Sequence, residues 1–251
     1  MQAAAVSRLL DINRQFYQTF AASFSVTRRR LQPGVLQVLS RIGPGARILD
    51  LGCGNGELAA ALVRRGWDGA YLGVDFSPSL LEEARIAAGR TPGGEAQVEF
   101  LQWDLSRPDG LSRQVESLQP VDAVFAFAVL HHLPGRETRE ALLREVRAIL
   151  RSSTKAGAVF IHSEWRFLAS PRLAARCLPW ERAGMTSAEV DPGDYLLDWR
   201  RGGTGLRYVH HFSEEELADL AAASGFHVGE TFYSDGENGR LGLYQRWSCL
   251  P

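Results

Sequence analysis

The segment Asp50-Leu51-Gly52-Cys53-Gly54-Asn55-Gly56 constrains this chain more than any other. It follows a continuous apolar run, Ala46 to Leu51, that reads as a buried strand. It precedes Leu58 to Arg65, which has helical spacing. Glycines at alternate positions let the backbone turn tightly and approach a ligand at the strand's carboxyl end. Strand, glycine turn and helix in that order open a doubly wound α/β sheet.

The remaining sequence extends that pattern. Ala70 to Val74, Val98 to Gln102, Val121 to Val129 and Gly157 to His162 read as further strands. Pro78 to Ala88, with Ser77 as its N-cap, and Thr138 to Arg151 read as the helices between them. Ser213 to Glu216 opens another helix that ends at Gly225. Val228 to Tyr233 and Leu241 to Trp247 flank a turn-rich segment and predict an antiparallel hairpin. The expected fold is therefore a seven-stranded mixed sheet, five strands parallel plus the hairpin, in one domain spanning 1–251. Its parts are a helical cap (1–43), a ligand-binding core (44–163), an irregular insertion on the substrate side (164–212), and a final helix and hairpin (213–251).

Two details narrow the ligand. The glycine spacing is GxGxG, whereas dinucleotide folds use GxGxxG. Asp50 at the loop's mouth opposes a pyrophosphate but suits an ammonium group. Asp75 ends the second strand, 19 residues beyond Gly56, where an acid accepts ribose hydroxyls in folds of this kind. The motif resembles the first motif, D-x-G-x-G-x-G, of class I S-adenosylmethionine-dependent methyltransferases. That resemblance implies S-adenosylmethionine as cofactor, held by Tyr17, Asp50, Gly52, Cys53, Gly54, Asn55, Gly56, Asp75, Phe76 and Ser77. Asp104 and Leu105, after the third strand, are expected at the adenine, with Trp103 packing beside them. Phe127 and Ala128, ending the fourth strand, are expected near the methyl group. His131 and His132 follow there as candidate catalytic groups, or as histidines with a structural role.

Composition excludes other classes. The formal net charge of −1 provides no global attraction to nucleic acid, so RNA binding requires a local basic patch. Cys53, Cys177 and Cys249 lie far apart and suggest neither a disulfide framework nor a metal site. No run approaches the apolar length of a membrane span, and charges interrupt the N-terminal segment, so a cytoplasmic location is expected.

A second resemblance is more specific. Phe24-Ser25-Val26-Thr27-Arg28, Ala128 to Leu133, Gly193 to Trp199 and Arg207 to Phe212 are similar to segments of the eukaryotic tRNA wobble-uridine carboxymethyl methyltransferases. Asp198 stands where that family has proline, and Val209 where it has tyrosine. The resemblance implies Arg28, Trp199, Arg207 and His210 as substrate-binding residues, with Arg207 and His210 also orienting an anionic acceptor. The alternative is that Arg207 and His210 only anchor the insertion. It also implies a small zinc-binding activator subunit. Arg28 to Arg30, and the Arg200-Arg201 pair beside Trp199, supply a local basic stretch with an aromatic able to stack a base, or merely a solvated loop. Three functions stay open: RNA modification, a small-molecule O- or N-methyltransferase, and a non-catalytic subunit that binds the cofactor.

Overall fold

The computed structural model describes the chain apart from residues 28, 29, 91–95, 154–156 and 251, and apart from the side chains of residues 22, 24 and 27. Two helices come first, α1 (Ala3–Thr27) and α2 (Pro33–Leu39). The alternating core follows: β1 (Arg47–Leu51), α3 (Glu57–Arg64), β2 (Ala70–Asp75), α4 (Pro78–Arg90), β3 (Gln97–Gln102), α5 (Leu111–Gln114), β4 (Ala123–Phe127), α6 (Arg136–Arg151) and β5 (Val159–Trp165). Then come α7 (Pro171–Ala174), β6 (Cys177–Leu178), β7 (Asp194–Trp199), β8 (Gly205–His210), α8 (Glu214–Ala223), β9 (Phe226–Ser234) and β10 (Gly242–Cys249).

The main sheet has the order β3-β2-β1-β4-β5-β10-β9. Strands β1 to β5 pair in parallel, and β10 runs antiparallel to both β5 and β9. The predicted hairpin is therefore present, inserted so that β10 lies inside and β9 forms the edge. Strand order reverses at β1, which pairs with β2 on one side and β4 on the other. Such a switch point leaves a crevice at the carboxyl ends of the strands, because the flanking connections diverge to opposite faces.

Alternate residues of the central strands feed two cores. Leu49, Leu51, Val74 and Val124 pack with Leu142, Val146 and Ile149 of α6 and with Leu217 of α8. Ile48, Tyr71, Phe125 and Ile161 pack with Val35 and Val38 of α2 and with Leu58 and Leu62 of α3. Central parallel strands are apolar on both faces for this reason.

The stretch 164–212, expected to be irregular, instead folds into a second antiparallel sheet, β6-β7-β8. Leu196 and Tyr208 pack against Ala5 and Leu9 of α1 on one face. Leu197 and Val209 pack against Phe167 on the other. With both faces covered, β8 loses the polar–apolar alternation that marks a half-buried strand. Buried Asp194, Asp198, Arg207 and His210 disguise both strands further. Among the described residues no helix is long and apolar enough to cross a membrane.

Candidate functional site

The glycine loop is fixed from below by β2. Gly52 and Cys53 both donate backbone N–H bonds to the Val74 carbonyl, at 2.7 and 3.0 Å. Gly52 has φ +73, and a Cβ there would lie 2.6 Å from Val129 Cγ2. Gly54 has φ +55, and a Cβ there would meet nothing within 4 Å. The first glycine thus permits close approach to β4's end, while the second leaves open space above the backbone.

Three acids stand around the loop. Asp50 is buried, accepts a 2.5 Å hydrogen bond from Tyr71 Oη, and forms no ion pair among the described residues. Burial raises its pKa from 3.8 to about 7; the Tyr71 hydroxyl opposes that rise and neighbouring Asp75 adds to it. Asp75 accepts from Gly54 N at 3.0 Å and from Ser77 N at 2.9 Å. Burial also raises this carboxyl, against those backbone donors. Phe76 N–H is a third backbone donor, and the two oxygens together keep room for one more. Asp104 is half-buried and bonds Arg14 of α1 at 2.8 Å and the Ser106 hydroxyl at 2.6 Å. These donors hold its pKa below the usual value although burial opposes them.

The acids line one end of a cavity of about 420 Å³. Gly52, Cys53, Gly54, Asn55, Phe76 and Leu105 share that end. Helix α1 roofs it through Asn13, Arg14 and Tyr17. Ser25 of α1 accepts from Asn55 Nδ2 at 2.9 Å and donates to Glu83 of α4 at 2.5 Å, so the helix is tied to the loop it covers. Beyond Ala128 the cavity continues to Phe127, Trp165, Tyr244, Glu164 and His132.

Residues 49–155 match the family described as a methyltransferase domain. Over those residues the chain carries a methyltransferase domain, on the class I methyltransferase fold of its solved neighbours. Its relatives include the "Putative methyltransferase" of Encephalitozoon cuniculi, 29% identical over 85% of this chain and 86% of that one. The trans-aconitate 2-methyltransferase of Azoarcus sp. is 39% identical over 41% of this chain and 35% of its own length. The tRNA (carboxymethyluridine(34)-5-O)-methyltransferase ALKBH8 of Macaca fascicularis is 30% identical over 57% of this chain, and the match spans only 18% of that protein. Among solved structures, a methyltransferase of Methanosarcina mazei superposes with TM-score 0.63 at 23% identity, covering 88% of this chain and 98% of that one. A chain from the complex of the Haloferax volcanii Trm112 methyltransferase activator with its methyltransferase gives TM-score 0.62 at 18% identity, covering 95% and 97%. At these identities the two structures establish the fold.

The residues present fit the cofactor. Asp50 is a buried carboxyl with no cation paired to it among the described residues, Gly54 opens onto free space, and Asp75 retains acceptor capacity at the cavity wall. The structure departs from sequence expectation at several positions. Gly56 and Ser77 do not line the cavity: Gly56 abuts Ala84 of α4, and Ser77 Oγ accepts from Leu80 N to cap that helix. Trp103 packs into the core below the sheet rather than beside the cavity. Arg28 lies outside the described residues.

Of the paired histidines, only His132 faces the cavity. His131 is buried, with Nδ1 2.8 Å from Glu164. Trp199 is buried against Phe16 and Phe20 of α1, so it offers no face to a base. Arg207 lies over the Phe16 and Trp165 rings, at 5.4 and 4.8 Å, and does not line the cavity. His210 is buried between Asp194 and Glu216, at 2.7 and 2.8 Å, also away from it. Strand pairing explains these shifts: once residues 194–210 form β7 and β8, their polar side chains turn into joints with α1, α6 and α8.

Sequence reasoning missed Tyr71 beneath Asp50, Arg14 on Asp104, and the Glu164, Trp165 and Tyr244 wall. Tyr71 and Tyr244 read as core aromatics. Arg14 is 90 positions from its partner. The dipeptide Glu164-Trp165 directly after an apolar strand was the one available signal.

Proposed function

We propose that this methyltransferase acts in the cytoplasm on a carboxylate acceptor, and that a carboxymethyl-modified wobble uridine of tRNA is the acceptor to test first. The observation that carries the reading is Arg30 in the cavity lining, with three more arginines next in sequence to lining residues. Arg30 lines the cavity, and Arg166, Arg172 and Arg240 each adjoin a lining residue, Trp165, Leu173 and Leu241. Arg30, Arg172 and Arg240 are exposed, while Arg166 and Arg240 both lie over the Tyr233 ring, at 4.7 and 5.2 Å. Guanidinium groups favour carboxylates and phosphates through paired, charge-assisted hydrogen bonds. The named acceptors of two relatives, trans-aconitate and carboxymethyluridine, both carry carboxylates.

The bound cofactor supplies a methyl group on a cationic sulfonium. A carboxylate is ionised at neutral pH and needs no general base, so alignment and water exclusion do most of the work. Here α1 excludes water, and Ala128, at φ +59, turns the chain at the end of β4 where the acceptor meets the cofactor. His132 Nδ1 stands 3.4 Å from the Tyr208 carbonyl, to which it can only donate. Its Nε2 then accepts from Tyr17 Oη at 3.1 Å. This pair gives the cavity a polar wall.

A second reading, a small carboxylate metabolite, is favoured by the roof that α1 forms over the cavity. Labelled-methyl transfer separates the two. Bulk tRNA and small metabolites from the source cell are each offered, with and without a Trm112-type activator, the partner suggested by the Haloferax complex. Label in tRNA supports the first reading. Label confined to the metabolite fraction replaces it with the second.

A further inference from the structure

Behind the acceptor wall lies a buried group that methyl transfer to a carboxylate does not obviously require. Glu164, near the end of β5, lines the cavity yet is almost wholly buried. Its two oxygens each face an imidazole: Oε2 is 2.8 Å from His131 Nδ1, and Oε1 is 2.9 Å from His162 Nδ1. Both histidines are themselves buried. A carboxyl between two imidazoles that each present Nδ1 can be wired in one of three ways, and the surrounding contacts choose among them.

An ionised Glu164 would accept from both histidines. A neutral one donates to one ring and accepts from the other. Two contacts set the direction. The Trp165 backbone N–H points at His131 Nδ1 from 3.4 Å, which makes that nitrogen an acceptor. The 2.8 Å contact with Oε2 then needs a proton on Glu164, and the two donors share the nitrogen's one lone pair, the carboxyl from the shorter distance. On the other side, His162 Nε2 is buried with no hydrogen-bond partner among the described residues. Placing the His162 proton on Nδ1, donated to Oε1, leaves only a lone pair unmet. The opposite arrangement strands a buried N–H, the costlier fault in a protein interior.

We infer that Glu164 is a positioning residue, held as a neutral acid in a one-way chain from His162 Nδ1–H through its own carbonyl and O–H to His131 Nδ1. The chain fixes His131, whose ring centroid lies 4.4 Å from that of His132, the histidine that faces the cavity. It also leaves the acceptor wall uncharged at this point, which an anionic acceptor requires. That last clause rests on the carboxylate reading; the chain itself does not. Burial agrees in direction: it pushes the Glu164 carboxyl well above the usual range and the His162 ring down to about 3. Arg139 of α6 and the His131 backbone N–H, which donates to the carboxyl, oppose that rise, and Glu216 of α8 adds to it.

The wiring is testable without any acceptor. Long-range ¹H–¹⁵N spectra of the intact protein should show His131 Nδ1 unprotonated and His162 Nδ1 protonated, and infrared difference spectra should contain a protonated carboxyl band that Glu164→Gln removes. A protonated His131 Nδ1, or no such band, overturns the inference. In turnover, Glu164→Ala should lower kcat by roughly tenfold or more through loss of His131 positioning. Glu164→Gln can donate with its amide N–H₂ and accept with its carbonyl in the same places, so it should recover most of that loss at unchanged KM. A Gln variant as impaired as Ala would mean an ionised carboxylate and refute the chain. Because the spectra need no acceptor, failure of the carboxylate reading would leave them unaffected.

Discussion

Asp50→Asn separates what the folded chain tolerates from what the cofactor needs. Without ligand, Asp50 is a buried acid whose pKa stands at about 7 instead of 3.8. By linkage, the folded state keeps a proton that the unfolded chain releases, so this group's contribution to stability is full below about pH 3.8 and is lost as pH rises through about 7. The rise corresponds to at most ~4 kcal/mol. The amide keeps an oxygen for Tyr71 Oη and removes the charge, so the variant should be more stable than the native protein at pH 8, by up to that ceiling. Cofactor binding should move the other way. The cofactor's ammonium draws Asp50 into its ionised form, so native affinity should fall by roughly tenfold for each pH unit below 7. Losing a charge-assisted contact in a buried site costs about 2–3 kcal/mol, or roughly 30- to 160-fold in affinity. Calorimetric titration with S-adenosylmethionine from about pH 5.5 to 8.5, alongside thermal unfolding of the free protein, measures both. A variant that binds with native affinity, or that keeps the pH slope, would refute the assignment of Asp50 to the ammonium.

Asp75→Ala should weaken S-adenosylmethionine binding by roughly tenfold or more, because it removes acceptors for the ribose and releases Gly54 N; unchanged affinity by calorimetry would count against the ribose role. Ala128→Gly should stabilise the fold by ~0.5 kcal/mol in urea titration, since relief of ~1 kcal/mol at φ +59 exceeds the added chain entropy. A loss of ~1 kcal/mol would show that Ala128 is unstrained. With a carboxylate acceptor, kcat at saturating cofactor should stay flat from about pH 6 to 8, whereas a slope near pH 6.5 would indicate His132 acting as a base.

The cofactor half of this molecule was readable because its chemistry is local. Asp50 to Gly56 sits in one turn, and Asp75 and Asp104 stand at the ends of the next two strands, so strand periodicity delivers each to the same edge. Position along a strand does not reveal the partner across a gap, and that is where the reading failed. Asp75 also holds the glycine loop itself, and Asp104 is bonded by Arg14 of α1. For residues 164–212 the signal was absent altogether. A small sheet covered on both faces shows no alternation, and its buried charges read as surface. His210 and Arg207 were found by resemblance, but their environments resolve them into a joint instead of a pocket.

That joint bears on how the acceptor is chosen. Arg139 of α6 donates to the Leu133 carbonyl at 2.9 Å and to Tyr208 Oη at 3.2 Å, and lies 3.4 Å from Glu216 of α8. Tyr208 Oη donates to Asp194, which also faces His210. Asn13 of α1 donates to the His132 carbonyl and accepts from Tyr208 N. The insertion, the roof helix and the His131-His132-Leu133 segment are therefore held by one buried polar network. Removing a single member of such a network leaves an uncompensated charge inside the protein, so its geometry changes as a whole or not at all. Asp50 and Asp75 are held by Tyr71 and by the glycine loop, outside this network, whereas Asp104 meets α1 through Arg14. The acceptor wall does, since His132 takes its position from Asn13 and from the Tyr208 carbonyl. Asp50, Asp75 and the glycine loop are thus set by the main sheet, while the inserted sheet and α1 set the shape of the acceptor end. For that reason a complete glycine loop identifies the methyl donor and leaves the acceptor to residues far from it in sequence.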